Sequence, residues 1–210
     1  MIITAITPEK EHLVKISFND GKECFLDREV AANHSLCAEE ELRSEDLQAL
    51  ISESDYERAK SRALWYLDRG DYTEKAMYQK LLSKGFEKKA CAKVIARFKE
   101  LGIINDRRFA ERFYERCMER NISKRETLHK MIDKGVPYDM AKEILENGDT
   151  DEETQIRNLL EGKYSSKLSA ERGKEKVFAA LARKGFSFSA IRSVLNEFIE
   201  ELEFCEEYDV

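Results

Sequence analysis

Proline and glycine are scarce in this chain, which has two prolines and nine glycines in 210 residues. Folds rich in loops and turns need more of both, because these residues supply the backbone conformations of turns. The scarcity therefore argues against a loop-rich or all-β fold. Since 37% of the residues are charged and 42% are apolar, the composition favours helices with much surface per residue.

The sequence also lacks a long apolar segment. It contains no run of about 18 or more apolar residues, so it predicts no transmembrane helix. Residues 1–6 carry no basic side chain ahead of their apolar ones, and charged residues follow at once, so this start does not resemble a signal peptide. We therefore expect a cytoplasmic protein.

Residues with catalytic or metal-binding chemistry are few and scattered. The five cysteines and three histidines form no Cys-x-x-Cys pair and no spacing typical of a zinc site. Glycine-rich phosphate-binding loops and the G-x-S-x-G nucleophile motif are absent. Acidic clusters such as residues 39–41 are typical of helix N-termini, where negative charge is stabilised. We expect no enzymatic activity, no cofactor and no bound metal.

The first 30 residues differ from the remainder because they are β-prone. Segment 13–18 has partial alternation of apolar and polar residues, residues 19–21 (Asn-Asp-Gly) supply a turn, and 22–26 make a return strand. An Asp-Gly turn between two such segments predicts a β-hairpin. Residues 1–6 are a candidate third strand. An isolated hairpin is marginal in water, so we expect it to pack on the helices that follow.

Helix is predicted for the rest of the chain. Two short helices are expected over 27–34 and 38–52, which complete an N-terminal region of residues 1–53. From about residue 55, apolar side chains recur every three or four residues, as on one face of a helix. These apolar stripes predict nine successive helices: Ala59/Ala63/Tyr66/Leu67, Met77/Leu81, Cys91/Val94/Ile95/Phe98/Leu101, Phe109/Phe113/Cys117, Leu128/Met131/Ile132, Ala141/Ile144/Leu145, Ile156/Leu159/Leu160, Val177/Leu181 and Ile191/Val194/Leu195/Phe198/Leu202. Because Cys91 and Cys117 lie on stripes, we expect both thiols in the core.

The dipeptide Lys-Gly occurs three times, fifty residues apart, and each copy has an apolar residue three positions before the lysine and another directly after the glycine. The copies are Leu81/Lys84-Gly85/Phe86, Met131/Lys134-Gly135/Val136 and Leu181/Lys184-Gly185/Phe186. Glycine adopts the left-handed conformation that ends many helices, and the lysine faces the negative end of the helix dipole. Each copy therefore predicts one helix ending at Lys-Gly and another beginning just beyond.

The stripes and turns together predict an all-α fold of three tandem three-helix repeats in an elongated, curved array, with a small N-terminal β-hairpin. The predicted repeats span residues 54–104, 105–150 and 151–210, the last with an acidic tail. The period of fifty residues differs from the roughly 33 or 34 residues of ankyrin and tetratricopeptide repeats.

Three segments carry a resemblance to a known family. Residues 63–75 read Ala-Leu-Trp-Tyr-Leu-Asp-Arg-Gly-Asp-Tyr-Thr-Glu-Lys, residues 80–86 read Lys-Leu-Leu-Ser-Lys-Gly-Phe, and residues 101–110 read Leu-Gly-Ile-Ile-Asn-Asp-Arg-Arg-Phe-Ala. With the later Lys-Gly turns, they resemble the RecX family over about residues 55–200. The chain departs from the family where it has Ala76-Met77 instead of a frequent Glu-Leu, and many members are more basic.

The resemblance implies a regulator of the bacterial RecA recombinase. Its implied partner is the RecA–single-stranded-DNA filament, along whose groove it would lie, with the DNA in the filament as a further partner. It would modulate, and mainly inhibit, the ATPase, strand-exchange and coprotease activities of RecA. The implied context is DNA repair, homologous recombination and the SOS response.

Charge is distributed unevenly along the chain. Residues 1–57 hold 5 basic and 14 acidic side chains, a net charge of −9. Residues 58–134 hold 21 basic and 11 acidic side chains, a net charge of +10, and residues 135–210 hold 10 and 17, a net charge of −7. A positive middle between negative ends indicates a protein that meets an anion with one part of its surface.

Arginines recur every four residues in this middle, from position 108 to position 120, and would form one ridge of a helix. Like charges four residues apart are mildly unfavourable in a helix. Two interpretations are open: a ridge that docks on phosphates or acidic side chains, or an ordinary solvated helix face. The candidate binding residues are Arg108, Arg112, Arg116, Arg120, Lys80, Lys84, Lys88, Lys89, Arg97, Lys124, Arg125 and Lys130.

Aromatic residues near these cations suggest stacking on nucleic-acid bases. Tyr66, Phe109 and Phe113 lie on apolar stripes, so we expect them in the core. Trp65 and Tyr114 lie off the stripes and are better candidates for contact with a partner.

Two other functions are compatible with the sequence. A direct DNA-binding helical module without RecA dependence is one, because three-helix units serve as helix-turn-helix readers. The net charge of −6 argues against it. A scaffold that binds only proteins is the other. We expect a monomer for all three functions.

Overall fold

The computed structural model describes residues 1–10, 12–149, 151–168 and 170–208, with side chains described up to residue 201. Contacts between residues divide the chain into two compact units, Met1–Asn105 and Asp106–Val210. The described chain is mostly helical with one small N-terminal sheet, so the predicted fold class is confirmed. Every described helix is too short or too polar to cross a lipid bilayer.

The first unit begins with a three-stranded antiparallel sheet in the order β1-β2-β3. The strands are β1 (Ile3–Pro8), β2 (Leu13–Phe18) and β3 (Glu23–Asp27). Val14, Ile16 and Phe18 alternate toward the core of β2, and Gly21 has a φ of +78° in the turn before β3. The predicted hairpin and its third strand are both confirmed. As expected for so small a sheet, it shares a core with α1 (Arg28–Asn33).

Residues 44–67 form one helix, α2 (Ser44–Leu67), where the sequence suggested a break near residue 53. The separate helix predicted over 38–52 is therefore wrong. The apolar stripe changes phase because α2 serves two cores: Leu50 packs with the sheet, and Ala59 packs with the helices that follow. Between them the buried Ser54 accepts a hydrogen bond from the backbone N–H of Asp27 at 2.7 Å, which ties α2 to β3.

The remainder of the first unit is α3 (Glu74–Leu82) and α4 (Lys88–Glu100). Their predicted stripes pack against the second half of α2, with Met77 and Leu81 fully buried. The exception is Leu101, predicted as the last member of the α4 stripe, which follows the end of α4 and is 54% exposed. In the structure Thr73 Oγ1 accepts from the backbone N–H of Ala76 at 3.1 Å, which stabilises the helix start.

The second unit contains the remaining helices. A first group packs around Phe109, Met131 and Ala141, and a second group packs around Ile156, Leu181 and other residues of the last predicted stripes. The side chain of Leu202, the last predicted stripe member, lies outside the described ones, as do those of Cys205 and most of the acidic tail. The helices are α5 (Asp106–Glu119), α6 (Lys124–Asp133), α7 (Tyr138–Asn147), α8 (Glu152–Leu159) with a π-helical turn at Leu160–Tyr164, α9 (Ser165–Leu168), α10 (Gly173–Arg183) and α11 (Phe188–Tyr208).

All three Lys-Gly turns have the predicted geometry. Gly85, Gly135 and Gly185 have φ values of +86°, +93° and +89°. In the second copy the backbone N–H of Val136 donates to the carbonyl of Met131 at 3.0 Å, and in the third Phe186 donates to Leu181 at 3.3 Å. These bonds are those of a Schellman ending, in which the apolar residue after glycine folds back on the helix.

Cys91 and Cys117 are buried, as their positions on the stripes predict. Burial raises the pKa of both thiols, because the charged thiolate loses its hydration. In the described part of the chain, no three His, Cys, Asp or Glu side chains come together as metal ligands. Both thiols therefore behave as small core residues.

Candidate functional site

The first unit exposes three lysines around the turn between α3 and α4. Lys84 lies in the Lys-Gly turn, and Lys88 and Lys89 form the first turn of α4, which has no acidic residue. Positive side chains at this end of a helix face the positive end of its dipole, which is unfavourable. A bound anion would relieve that repulsion.

Lys80 and Arg97 of the same unit are partly committed to local contacts. Lys80 Nζ donates to Tyr72 Oη at 2.9 Å and lies 4.5 Å from the ring centre of Tyr66. The hydrogen bond to Tyr72 raises the pKa of Lys80, so the ammonium stays charged. Arg97 forms an ion pair with Glu100 at 3.1 Å. These two cations therefore hold the first unit together as well as adding to its charge.

The second unit exposes the arginine ridge on α5 and just beyond its end. Phe109 is buried and stacks on Phe113 with ring centres 6.0 Å apart, so their predicted core role is confirmed. Arg116 lies over the ring of Phe113, at 5.9 Å. The ridge thus borders the buried face of α5, and its members Arg108, Arg112, Arg116 and Arg120 are all exposed.

The cations of α6 differ in their contacts. Lys124 Nζ donates to the carbonyl oxygen of Gly148 at 3.0 Å, and Lys130 pairs with Glu126 at 2.7 Å. Arg125 is exposed and has neither kind of contact with any residue whose side chain is described. Among the α6 cations, the Arg125 guanidinium is therefore the strongest candidate for contact with a partner.

Six of the candidate cations have no ion pair and no side-chain hydrogen bond to any described residue, and all six are exposed. They are Lys84, Lys88, Lys89, Arg116, Arg120 and Arg125. An exposed cation without an internal partner loses no existing bond when it meets an anion. These six form the strongest part of the predicted set, three in each unit.

Arg107 is not among the cations predicted from the sequence to bind a partner, and it has a structural role. Its guanidinium Nη2 contacts both carboxylate oxygens of Glu143 at 2.8 and 3.0 Å. The hydrogen bond raises the pKa of Arg107 and lowers that of Glu143. The pair joins α5 to α7 across 36 residues of sequence, and no local pattern signals a pair at that separation.

A second feature that the sequence did not indicate is an open cleft of about 600 Å³ in the second unit. Lys124 and Arg125 line it on one side and the third Lys-Gly turn on the other. At its edge the buried Ser123 donates to the carbonyl of Lys184 at 2.5 Å and accepts from the N–H of Glu126 at 3.2 Å. One hydroxyl thus caps α6 and holds the end of α10 against it.

Replacing this hydroxyl is expected to loosen the second unit. Ser123→Ala removes the helix cap and leaves the Lys184 carbonyl without its donor, which should lower the free energy of unfolding by about 1–3 kcal/mol. Urea denaturation followed by circular dichroism measures the change. Ser123→Thr keeps the hydroxyl and should retain most of the stability. Equal losses for both variants would contradict a role for the hydroxyl.

The aromatic contact candidates fall into two classes. Trp65 is 46% exposed, as its position off the stripe predicts. The prediction for Tyr114 is wrong, because it is half-buried and packs with the core of α5 and α6. A Cβ added to Gly148 would lie only 2.2 Å from Tyr114 Oη. The Tyr114 ring therefore fits because residue 148 has no side chain. Tyr66 is buried, as expected.

Two protein-family models match the chain. Residues 59–98 match the model described as RecX, first three-helix domain, and residues 151–195 match RecX, third three-helix domain. A regulatory protein RecX from Clostridium tetani is 30% identical over 204 residues, which cover 94% of each chain. The chain belongs to the RecX family. The resemblance carried by the Lys-Gly turns and the motif at 101–110 is thereby confirmed.

Other RecX proteins agree over most of the chain. RecX from Clostridioides difficile is 26% identical and covers 100% of this chain and 99% of its own. A crystal structure of regulatory protein RecX matches with a TM-score of 0.67 at 18% identity, covering 93% of this chain and 98% of that one. RecX from Lactobacillus salivarius matches with a TM-score of 0.58 at 24% identity, covering 68% and 96%. Both solved structures show the shared RecX fold.

Proposed function

We propose that the chain regulates RecA by binding the RecA–single-stranded-DNA filament and modulating, mainly inhibiting, its ATPase, strand-exchange and coprotease activities. The names of its relatives, regulatory proteins of the RecX family, support a regulatory role. The proposal assigns no enzymatic step to the chain. It places the chain in the cytoplasm as a monomer, with the filament as its partner.

The observation that carries the proposal is the set of six exposed cations that have no ion pair and no side-chain hydrogen bond to a described residue. The chain as a whole has a net charge of −6, so it is repelled by polyanions at long range. Binding to a DNA-containing filament then depends on local contacts between phosphates or acidic side chains and these cations. The acidic ends of the chain would weaken its binding to bare duplex DNA.

A comparison of filament and naked DNA at several salt concentrations tests the proposal. We expect tight binding of the chain to the RecA filament and much weaker binding to naked single strands or duplex. If all six cations contact phosphates of single-stranded DNA, log Kd plotted against log salt should have a slope of roughly 4. Fluorescence anisotropy with labelled protein measures both quantities.

A direct DNA-binding module is the second candidate, and the exposed lysines at the N-terminus of α4 are the observation that favours it. This function requires naked DNA to bind as tightly as the filament, with the same steep salt dependence. A protein-only scaffold requires equal binding to RecA with and without DNA. Either result would overturn the filament proposal.

A further inference from the structure

Trp65 is the only tryptophan in the chain and is one of its exposed aromatic residues. It projects from the last turns of α2 between two arginines. The guanidinium of Arg69 lies 3.8 Å from the centre of the Trp65 ring, and that of Arg62 lies 5.8 Å from it. The Arg69 guanidinium is held there by a hydrogen bond to the Trp65 carbonyl at 2.9 Å. The Arg69 guanidinium thus stacks on the indole, and the Arg62 guanidinium lies over the same ring at a longer distance.

The cluster continues from Trp65 toward the core of the first unit through one buried and one half-buried ring. Tyr66 meets Trp65 edge to face with ring centres 5.2 Å apart, and Tyr72 lies 6.1 Å from Tyr66. Lys80 lies over both tyrosines, at 4.5 and 4.7 Å. The tyrosines form the base of the cluster against the core, and Trp65 is its exposed end.

The charge of the cluster is positive. Arg62 and Lys80 have no ion pair with any described carboxylate, and Arg69 has one exposed partner, Asp68, at 3.4 Å. An exposed indole with one guanidinium stacked on it and a second nearby suits a ligand that combines flat rings with negative charge. Single-stranded nucleic acid has that chemistry, because each nucleotide pairs a π-face with a phosphate.

We propose that Trp65 is a stacking platform for an unpaired base of single-stranded DNA, with Arg62 and Arg69 contacting the adjacent phosphates. This inference rests on the proposed function, since it identifies the single-stranded DNA of the filament as the ligand that the first unit binds. An acidic protein surface is the competing ligand. It would use the two arginines equally well, and its apolar groups would pack on the exposed Leu64 as well as on Trp65.

Leu64 provides a matched control for this distinction. It is the neighbour of Trp65 on α2 and has the same exposed fraction, 46%. Base stacking requires the indole and not the aliphatic side chain. A protein partner that covers the apolar patch would contact both residues.

The test replaces Trp65 by hydroxytryptophan, whose emission is excited selectively in the presence of RecA. We expect the emission to fall when the full chain is titrated with oligothymidylate or with RecA filament. An abasic strand of the same length, which offers phosphates without bases, should leave the emission unchanged. Unchanged emission with both base-containing ligands would overturn the proposal, and so would an equal fall with the abasic strand.

Variants complete the experiment. Trp65→Ala should weaken binding to the base-containing ligand by roughly 5- to 100-fold, Trp65→Phe should recover part of the loss, and Leu64→Ala should bind normally. Equal losses for Trp65→Ala and Leu64→Ala would indicate a protein contact and refute stacking. Intact filament binding without any Trp65 effect refutes this inference alone. A fall in emission with naked strand but no filament binding refutes the proposed function alone.

Discussion

Reversing the charges of Arg116 and Arg120 is expected to weaken binding of the chain to the RecA filament by roughly 100-fold or more. Both guanidiniums are exposed and have no ion pair with a described residue. Each reversal removes an attraction to a phosphate or carboxylate and adds a repulsion, and close charge pairs at interfaces are worth about 1.5 kcal/mol or more each. The variant R116E/R120E therefore combines a large effect on binding with a small effect on folding.

A matched control separates this local effect from a change in net charge. Lys174 on α10 and Arg192 on α11 are also exposed cations of the second unit, outside the predicted basic region. K174E/R192E lowers the net charge by the same amount and should bind the filament almost normally. Filament pull-down and circular dichroism measure binding and helicity for both variants. Equal losses would show that overall charge, not the ridge, controls binding.

Gly185→Ala is expected to destabilise the second unit by about 2–5 kcal/mol. Gly185 has a φ of +89°, a conformation that costs an L-residue about 1–2 kcal/mol. An added Cβ would also lie 3.0 Å from Arg125 Cβ and 3.1 Å from Ser123 Oγ. Crowding of this kind typically adds about 1–3 kcal/mol, and here it would push apart the hydroxyl and carbonyl that join α6 to α10.

The first Lys-Gly turn supplies the control for this prediction. Gly85 has nearly the same φ, +86°, but an added Cβ would have no described neighbour within 4 Å. Gly85→Ala should therefore carry only the conformational strain, about 1–2 kcal/mol. Urea denaturation of the two variants measures the difference. If Gly85→Ala lowered the free energy of unfolding as much as Gly185→Ala, crowding against α6 would contribute nothing to the loss of stability.

Most of the fold was predictable because its signals are local. Apolar spacing places a helical stripe within a dozen residues, and a cap such as Thr73 acts within one turn. The three Lys-Gly turns were predictable for the same reason, since a left-handed glycine ends a helix through bonds that span five residues. The break predicted within α2 failed where a single helix passes between two cores, because the stripe there changes phase without any interruption of the backbone.

For the candidate site, the sequence predicted only which cationic residues are present and in which stretch of the chain they lie. The sequence places the cations in one stretch, but it does not show which of them already have partners. Lys80 lies on a tyrosine pair and Lys130 pairs with Glu126, whereas Arg116 and Arg125 have no ion pair within the described part of the chain. Tyr114 was misjudged because its ring enters the core through space left by Gly148, and that glycine lies 34 residues away in the sequence.

The sequence by itself determined the helices, the fifty-residue repeat, the basic middle and the resemblance to RecX, because each depends on residues close together in the chain or repeated at a fixed interval. Only the tertiary structure decided which side chains meet across longer separations. Arg107 reaches Glu143 across 36 residues and Ser123 reaches Lys184 across 61. Such pairs depend on how helices pack. Packing also leaves Trp65 on the surface, together with the six cations that have no ion pair to a described residue, and all of them are available to a partner.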